Sequence, residues 1–147
     1  MSLRLQATCL LVGEGAIVIR GPSGSGKTSL CLALIDLALG KGIFSRLVSD
    51  DAVVVKRQGR QLVARSHPAV AGLIERRGLG LVPNAFEAAG CVRLVVDCGP
   101  DEPPRLPEAT DLVTEIDGVV LPRLQCARGA ADAPLVLAAL ALFQAPS

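Results

Sequence analysis

Aromatic rings are nearly missing from these 147 residues: there is no Trp and no Tyr, only three Phe, and a single histidine, His67. Without aromatic faces the chain has no stacking platform for single-stranded nucleic acid. A net charge of +1 gives no cationic field to hold a phosphate backbone. One histidine excludes a histidine metal cluster. The five cysteines, at 9, 31, 91, 98 and 126, include no C-x-x-C pair and cannot all pair with one another, which is the pattern of reduced thiols rather than of a disulfide framework. The longest apolar run, residues 133–143, falls short of the ~20 residues that span a membrane, and Glu14 interrupts the apolar N-terminus before a signal-peptide core is complete. These absences predict a cytoplasmic protein with neither nucleic acid nor membrane as partner. What is present is apolar: half of the residues are hydrophobic and 20% are charged, enough for a sizeable aliphatic core in one domain spanning residues 1–147. Arginine outnumbers lysine twelve to three, the signature of GC-rich coding.

Residues 3–12 and 16–20 are apolar runs separated by Gly13, Glu14 and Gly15, which predicts a β-hairpin. From Lys27 to Leu39 the apolar recurrence at Leu30, Leu34, Leu37 and Ala38, stopped by Gly40 and Gly42, predicts a helix. Its other side carries Leu32, Ala33 and Ile35, so packing on more than one side is expected. A short strand over 46–51 ends in two acids, and residues 52–56 and 61–65 form a hairpin turning at Gln58 and Gly59. Residues 74–77 and 79–82 flank Gly78. Residues 91–97 have the pattern of a buried strand broken only by Arg93, residues 98–109 hold four of the ten prolines and read as a surface loop, and Asp117-Gly118 between two apolar runs signals a type I′ hairpin. Asp132 is placed to cap a last helix reaching about Gln144. The fold class predicted is α/β: a single P-loop domain with a mixed, strand-rich sheet, one helix after the P-loop and one at the C-terminus.

The chemistry concentrates in Gly21, Pro22, Ser23, Gly24, Ser25, Gly26, Lys27 and Thr28, which satisfy G-x-x-x-x-G-K-[ST] between a strand and a helix. Glycines let the backbone wrap a phosphate, successive N–H groups and the helix N-terminus face it, Lys27 reaches the β/γ oxygens, and Thr28 can ligate Mg²⁺. A dinucleotide site is excluded because Ser29 stands where a third glycine is needed. The metal-side acid has two candidates. Asp97 ends the apolar strand Val92, Arg93, Leu94, Val95, Val96, whereas Asp50 and Asp51 end a shorter strand but as a pair, and paired carboxylates raise one pKa and favour a proton acceptor.

Together with Leu47-Val48-Ser49-Asp50-Asp51 and Glu75-Arg76-Arg77-Gly78-Leu79-Gly80, the phosphate loop resembles the catalytic C-terminal domain of the HPr kinase/phosphorylase family, in its short form without the N-terminal domain. The resemblance implies an ATP-dependent protein-serine kinase with Mg²⁺, acting on HPr or an HPr-like phosphocarrier, with phosphorolytic dephosphorylation as its reverse, and a homo-oligomer built by this domain alone. It assigns Lys27 to the nucleotide phosphates, Thr28 and Glu75 to Mg²⁺, Asp51 to proton transfer with Asp50 in support, Arg77 to the transferring phosphoryl charge, and Arg105 to a further catalytic role. Two departures are visible. Gln6-Ala7-Thr8 replaces the family's His-Ala-Thr, and an amide cannot titrate. Cys126-Ala127-Arg128-Gly129 replaces the Pro-Gly-Arg-Asn turn linked to dephosphorylation. A nucleotide sensor with weak catalysis and a small-molecule P-loop kinase using Asp97 are the alternatives.

Overall fold

The structure, a computed structural model, describes residues 2–144. Its elements run β1 (Leu3–Leu5), β2 (Ala7–Val12), β3 (Gly15–Arg20), α1 (Lys27–Gly40), β4 (Ser45–Ser49), β5 (Val53–Gln58), β6 (Gln61–Ser66), β7 (Leu73–Arg76), β8 (Gly80–Pro83), β9 (Ala89–Cys98), β10 (Val113–Ile116), β11 (Val119–Cys126) and α2 (Ala133–Gln144). Nine strands form one mixed sheet, and β7 and β8 pair separately as a small hairpin. The α/β, strand-rich architecture expected from the sequence is the one observed.

The centre of the sheet is β9. It runs parallel to β3 along one edge, while its other edge is shared: residues 89–91 pair antiparallel with β6, and residues 95–98 pair parallel with β11. The parallel strands β3, β9 and β11 therefore point their carboxyl ends the same way, where ligand sites of open α/β sheets form.

Alternation explains why β2 and β3 read as unbroken apolar runs: both faces are buried. Leu10, Val12, Ile17 and Ile19 face α1 and α2, whereas Cys9, Leu11, Ala16 and Val18 face a second core completed by β5, β6, β10 and β11. Among the described residues, no helix is long and apolar enough to cross a membrane.

Several local expectations are corrected. The run over 3–12 is two strands broken at Gln6, because β1 leaves to pair with β5 while β2 is held between β3 and β4. Helix α1 buries Leu30, Cys31, Leu34 and Ala38 fully, and, as expected of a helix packed on more than one side, the half-buried Leu32, Ala33 and Ile35 also pack against the core. The β5–β6 turn falls at Gly59 and Arg60, one residue later than expected. Asp132 does not cap α2: it lies in a 3₁₀ turn, and its carboxylate accepts from the Arg128 N–H. The Asp117-Gly118 turn does form, with φ of 51° and 80°, the two positive angles a type I′ turn requires.

All five cysteines are free. Burial pushes the thiols of Cys9 and Cys126 up to about 12 and that of Cys98 to about 11, so these groups remain protonated.

At the carboxyl end of the parallel strands, Asp97 accepts hydrogen bonds from Arg20 and Arg123, one guanidinium from each neighbouring strand. Burial pushes its carboxyl up, but those hydrogen bonds and the two positive charges outweigh it and hold the pKa below the ordinary value. Since the folded pKa is lower than the unfolded value of about 3.9, ionised Asp97 stabilises the fold above that pH, and the contribution is lost as pH falls through the folded value. We expect Asp97→Asn to cost about 1–3 kcal/mol at pH 7 and the difference from wild type to shrink below about pH 4, as measured by urea midpoints across that range.

Candidate active site

Strand β3 ends at Arg20, the chain wraps through residues 21–26, and α1 begins at Lys27. The helix starts on Gly26, whose left-handed φ of 91° lets the turn close. It has no side-chain cap and no acid in its first turn. Its free N–H groups and positive dipole end are thus left for an anion. Lys27 is buried and folds back over the loop, Nζ donating to the carbonyls of Gly21 at 2.7 Å and Pro22 at 3.2 Å. Ser25 Oγ is buried and has no hydrogen-bond partner among the described residues.

Asp50 organises the other wall. Only 4% exposed, its Oδ1 accepts from Thr8 Oγ1 at 2.8 Å and Thr28 Oγ1 at 2.9 Å, and its Oδ2 accepts the backbone N–H of Glu75 at 3.0 Å. A carboxylate with three donors is held in place. Because Thr28 spends its proton on Asp50, its oxygen lone pairs stay open to a hard cation.

Asp51 is the opposite case. The strand stops at Ser49, earlier than expected, and Asp51 adopts φ of 62°, a left-handed conformation costly for a residue with a Cβ. The turn is closed by Ser49 Oγ donating to the Ala52 carbonyl and by the Ala52 N–H donating to the Asp50 carbonyl. The Asp51 N–H donates to Thr8 Oγ1 at 3.2 Å. So held, the Asp51 side chain is 68% exposed with Oδ1 3.9 Å from Lys27 Nζ.

A cleft of about 270 Å³ brings together Gly24, Gly26, Lys27, Thr28, Asp50, Asp51, Glu75 and Arg77, with Ser23 at its rim. Gly21, Pro22 and Ser25 lie in the same loop without lining that cleft. Arg105 is not brought there: it is exposed in the proline-rich loop and lines a separate cleft with Arg128 and Asp132. Asp97, with both oxygens engaged by arginines, does not line the cleft either. Gln6 is exposed at the bend before β2, two residues from Thr8.

Thr8 is the site residue that motif reading passed over. Its hydroxyl donates to Asp50 and accepts from Asp51, so one side chain sets both acids. The available signal was a hydroxyl in the middle of an apolar buried strand, where it must find a partner.

The family described as HPr Serine kinase C-terminal domain matches residues 2–91. The chain belongs to this family. Among its relatives, the HPr kinase/phosphorylase of Clostridium beijerinckii is 39% identical over 79 residues, covering 54% of this chain and 24% of the relative. That of Mycoplasma mycoides subsp. mycoides is 35% identical over 71 residues, 48% of this chain and 20% of the relative. The chain thus spans a quarter or less of the length of the curated relatives it matches. The solved structure of the Hpr(Ser) kinase/phosphatase from Coxiella burnetii superposes with a TM-score of 0.73 at 24% identity, over 95% of this chain and 88% of that one, which establishes the shared fold. In this HPr kinase C-terminal domain the family match contains the phosphate loop, both acids and the β7–β8 hairpin, while the proline-rich loop with Arg105 lies beyond it.

Replacing Thr8 by the near-isosteric Val removes one donor and one acceptor while keeping the volume. We expect Thr8→Val to lower stability by about 1–3 kcal/mol, read by denaturant unfolding, and Thr8→Ser to restore most of it.

Proposed function

We propose that this domain transfers the γ-phosphoryl group of ATP, bound with Mg²⁺, to a serine hydroxyl of HPr or an HPr-like phosphocarrier. The observation that carries the reading is the exposed Asp51 carboxylate, held in a left-handed turn 3.9 Å from the phosphate-loop lysine. An uncapped helix N-terminus without acids, an unpartnered Ser25 hydroxyl and the open lone pairs of Thr28 fit a phosphorylated, cation-bound ligand. Among the described residues no three His, Cys, Asp or Glu side chains cluster as a metal site. This suits Mg²⁺, which takes one or two protein oxygens and completes its shell with water and substrate phosphates. Thr28 and Glu75 are the residues that would hold it.

Bound MgATP supplies the electrophilic phosphorus and a cation that neutralises charge on the phosphates. The protein does the rest. Lys27 orients the β/γ oxygens, and the α1 N–H groups hold them in line. Asp51 accepts the proton of the seryl hydroxyl as the serine oxygen bonds to phosphorus and the bond to the leaving ADP breaks. Arg77 stabilises the charge on the equatorial oxygens, and Asp50 keeps Thr28 and the Asp51 turn in position. In the phosphorolytic direction the same Asp51 returns a proton to the departing serine oxygen while inorganic phosphate attacks. The engagement of Asp97 by two arginines weighs against a small-molecule kinase built on that acid.

Lys27→Ala is expected to abolish binding of ATP and pyrophosphate in calorimetry with an unchanged circular dichroism spectrum, since Lys41 and Lys56 lie outside the loop. Asp51→Asn should lower kcat by about 10²–10⁴, with Asp97→Asn close to wild type at 25 °C. Failure of labelled phosphate from ATP to reach a serine of HPr from the same source would refute the reading.

A further inference from the structure

A second cleft lies at the opposite end of the sheet from the phosphate loop. It measures about 640 Å³ and opens where β3 begins, between the β5–β6 turn, β11 and the end of α2. Arg93 is its central feature. In the register of β3 against β9, Ala16 faces Val92 and the next residue, Ile17, faces Leu94, so Arg93 is the extra residue of a β-bulge. Core packing records the same event: Val92 belongs to the core away from the helices and Leu94 to the helix-side core, whereas unbroken alternation would put both on one face. Bulges re-aim side chains, and this one turns an arginine stem across the backbone of β3. Gly15 makes room for it. A Cβ at Gly15 would lie 2.7 Å from Arg93 Cγ and 2.5 Å from Gln144 Nε2.

The guanidinium so placed has no carboxylate partner among the described residues. Neither Arg93 nor Arg60, which lines the same cleft, takes part in any ion pair among the described residues, and Glu14 at its rim pairs with neither. Among the described residues the cleft is lined by two cations, Arg60 and Arg93, and one acid, Glu14. The remaining lining mixes the amides of Gln61 and Gln144 with two exposed apolar side chains, Val120 and Phe143. A charge-assisted fork is the residue type for a carboxylate or phosphate, and the two exposed apolar side chains give an apolar body a surface to lie on. We propose that the cleft around Arg93 and Arg60 binds a small amphipathic anion, one carboxylate or phosphate group on an apolar body, independently of the phosphate loop.

Titration calorimetry on the full chain with decanoate and with decyl phosphate tests this. Saturable one-to-one binding of either probe to the wild type is expected, and which probe binds identifies the head group. Arg93→Gln should weaken it about tenfold or more. Arg60→Gln, at an exposed turn position with no core contact to lose, should also weaken it, which guards against misfolding of the first variant. Excess pyrophosphate should not displace the probe. The proposal is overturned if neither probe binds at millimolar concentration, if both arginine variants bind as wild type does, or if pyrophosphate competes.

Discussion

One buried carboxylate holds the candidate active site together. Asp50 receives hydrogen bonds from Thr8 on β2, from Thr28 on the first turn of α1 and from the backbone of Glu75 on β7. Three elements distant in sequence are tied to one point. A carboxyl group with this little solvent exposure must have its hydrogen-bonding capacity met, so the phosphate loop, the Asp51 turn and the β7–β8 hairpin are set by the same requirement. Without the Asp50 acceptor, the buried Thr8 hydroxyl, the half-buried Thr28 hydroxyl and an amide would each lose a partner, and the hairpin carrying Arg77 would lose its anchor.

The two neighbouring acids owe their different roles to their surroundings. Asp50 is enclosed and spends both oxygens on donors, so it positions other groups. Asp51, one residue on, is turned outward by a left-handed backbone and faces Lys27 across 3.9 Å. Asp97 shows a third fate: it closes the strand ends by pairing with Arg20 and Arg123, away from the cleft that gathers Lys27, Asp50 and Asp51.

The same sheet offers two ends with different electrostatics. At the carboxyl ends of the parallel strands lie an uncapped helix N-terminus and the buried Lys27. At the other end a bulge in β9 projects an arginine, without an ion pair among the described residues, into an open cleft.

The sequence by itself determined the phosphate loop, the helix behind it, the buried strands and the hairpin at Asp117-Gly118, because each follows from local backbone preference or from short-range periodicity. Family membership was legible for the same reason: its motifs are contiguous. Tertiary structure alone decided which acid is buried, which is exposed and which is neutralised, since burial and partners come from chain segments dozens of residues apart. Thr8 shows this limit well. Its hydroxyl lies 42 residues from Asp50 in sequence and 2.8 Å from it in space. Arg93 shows it again: in sequence it is a break in an apolar run, and only the register against β3 reveals a bulge that re-aims its side chain.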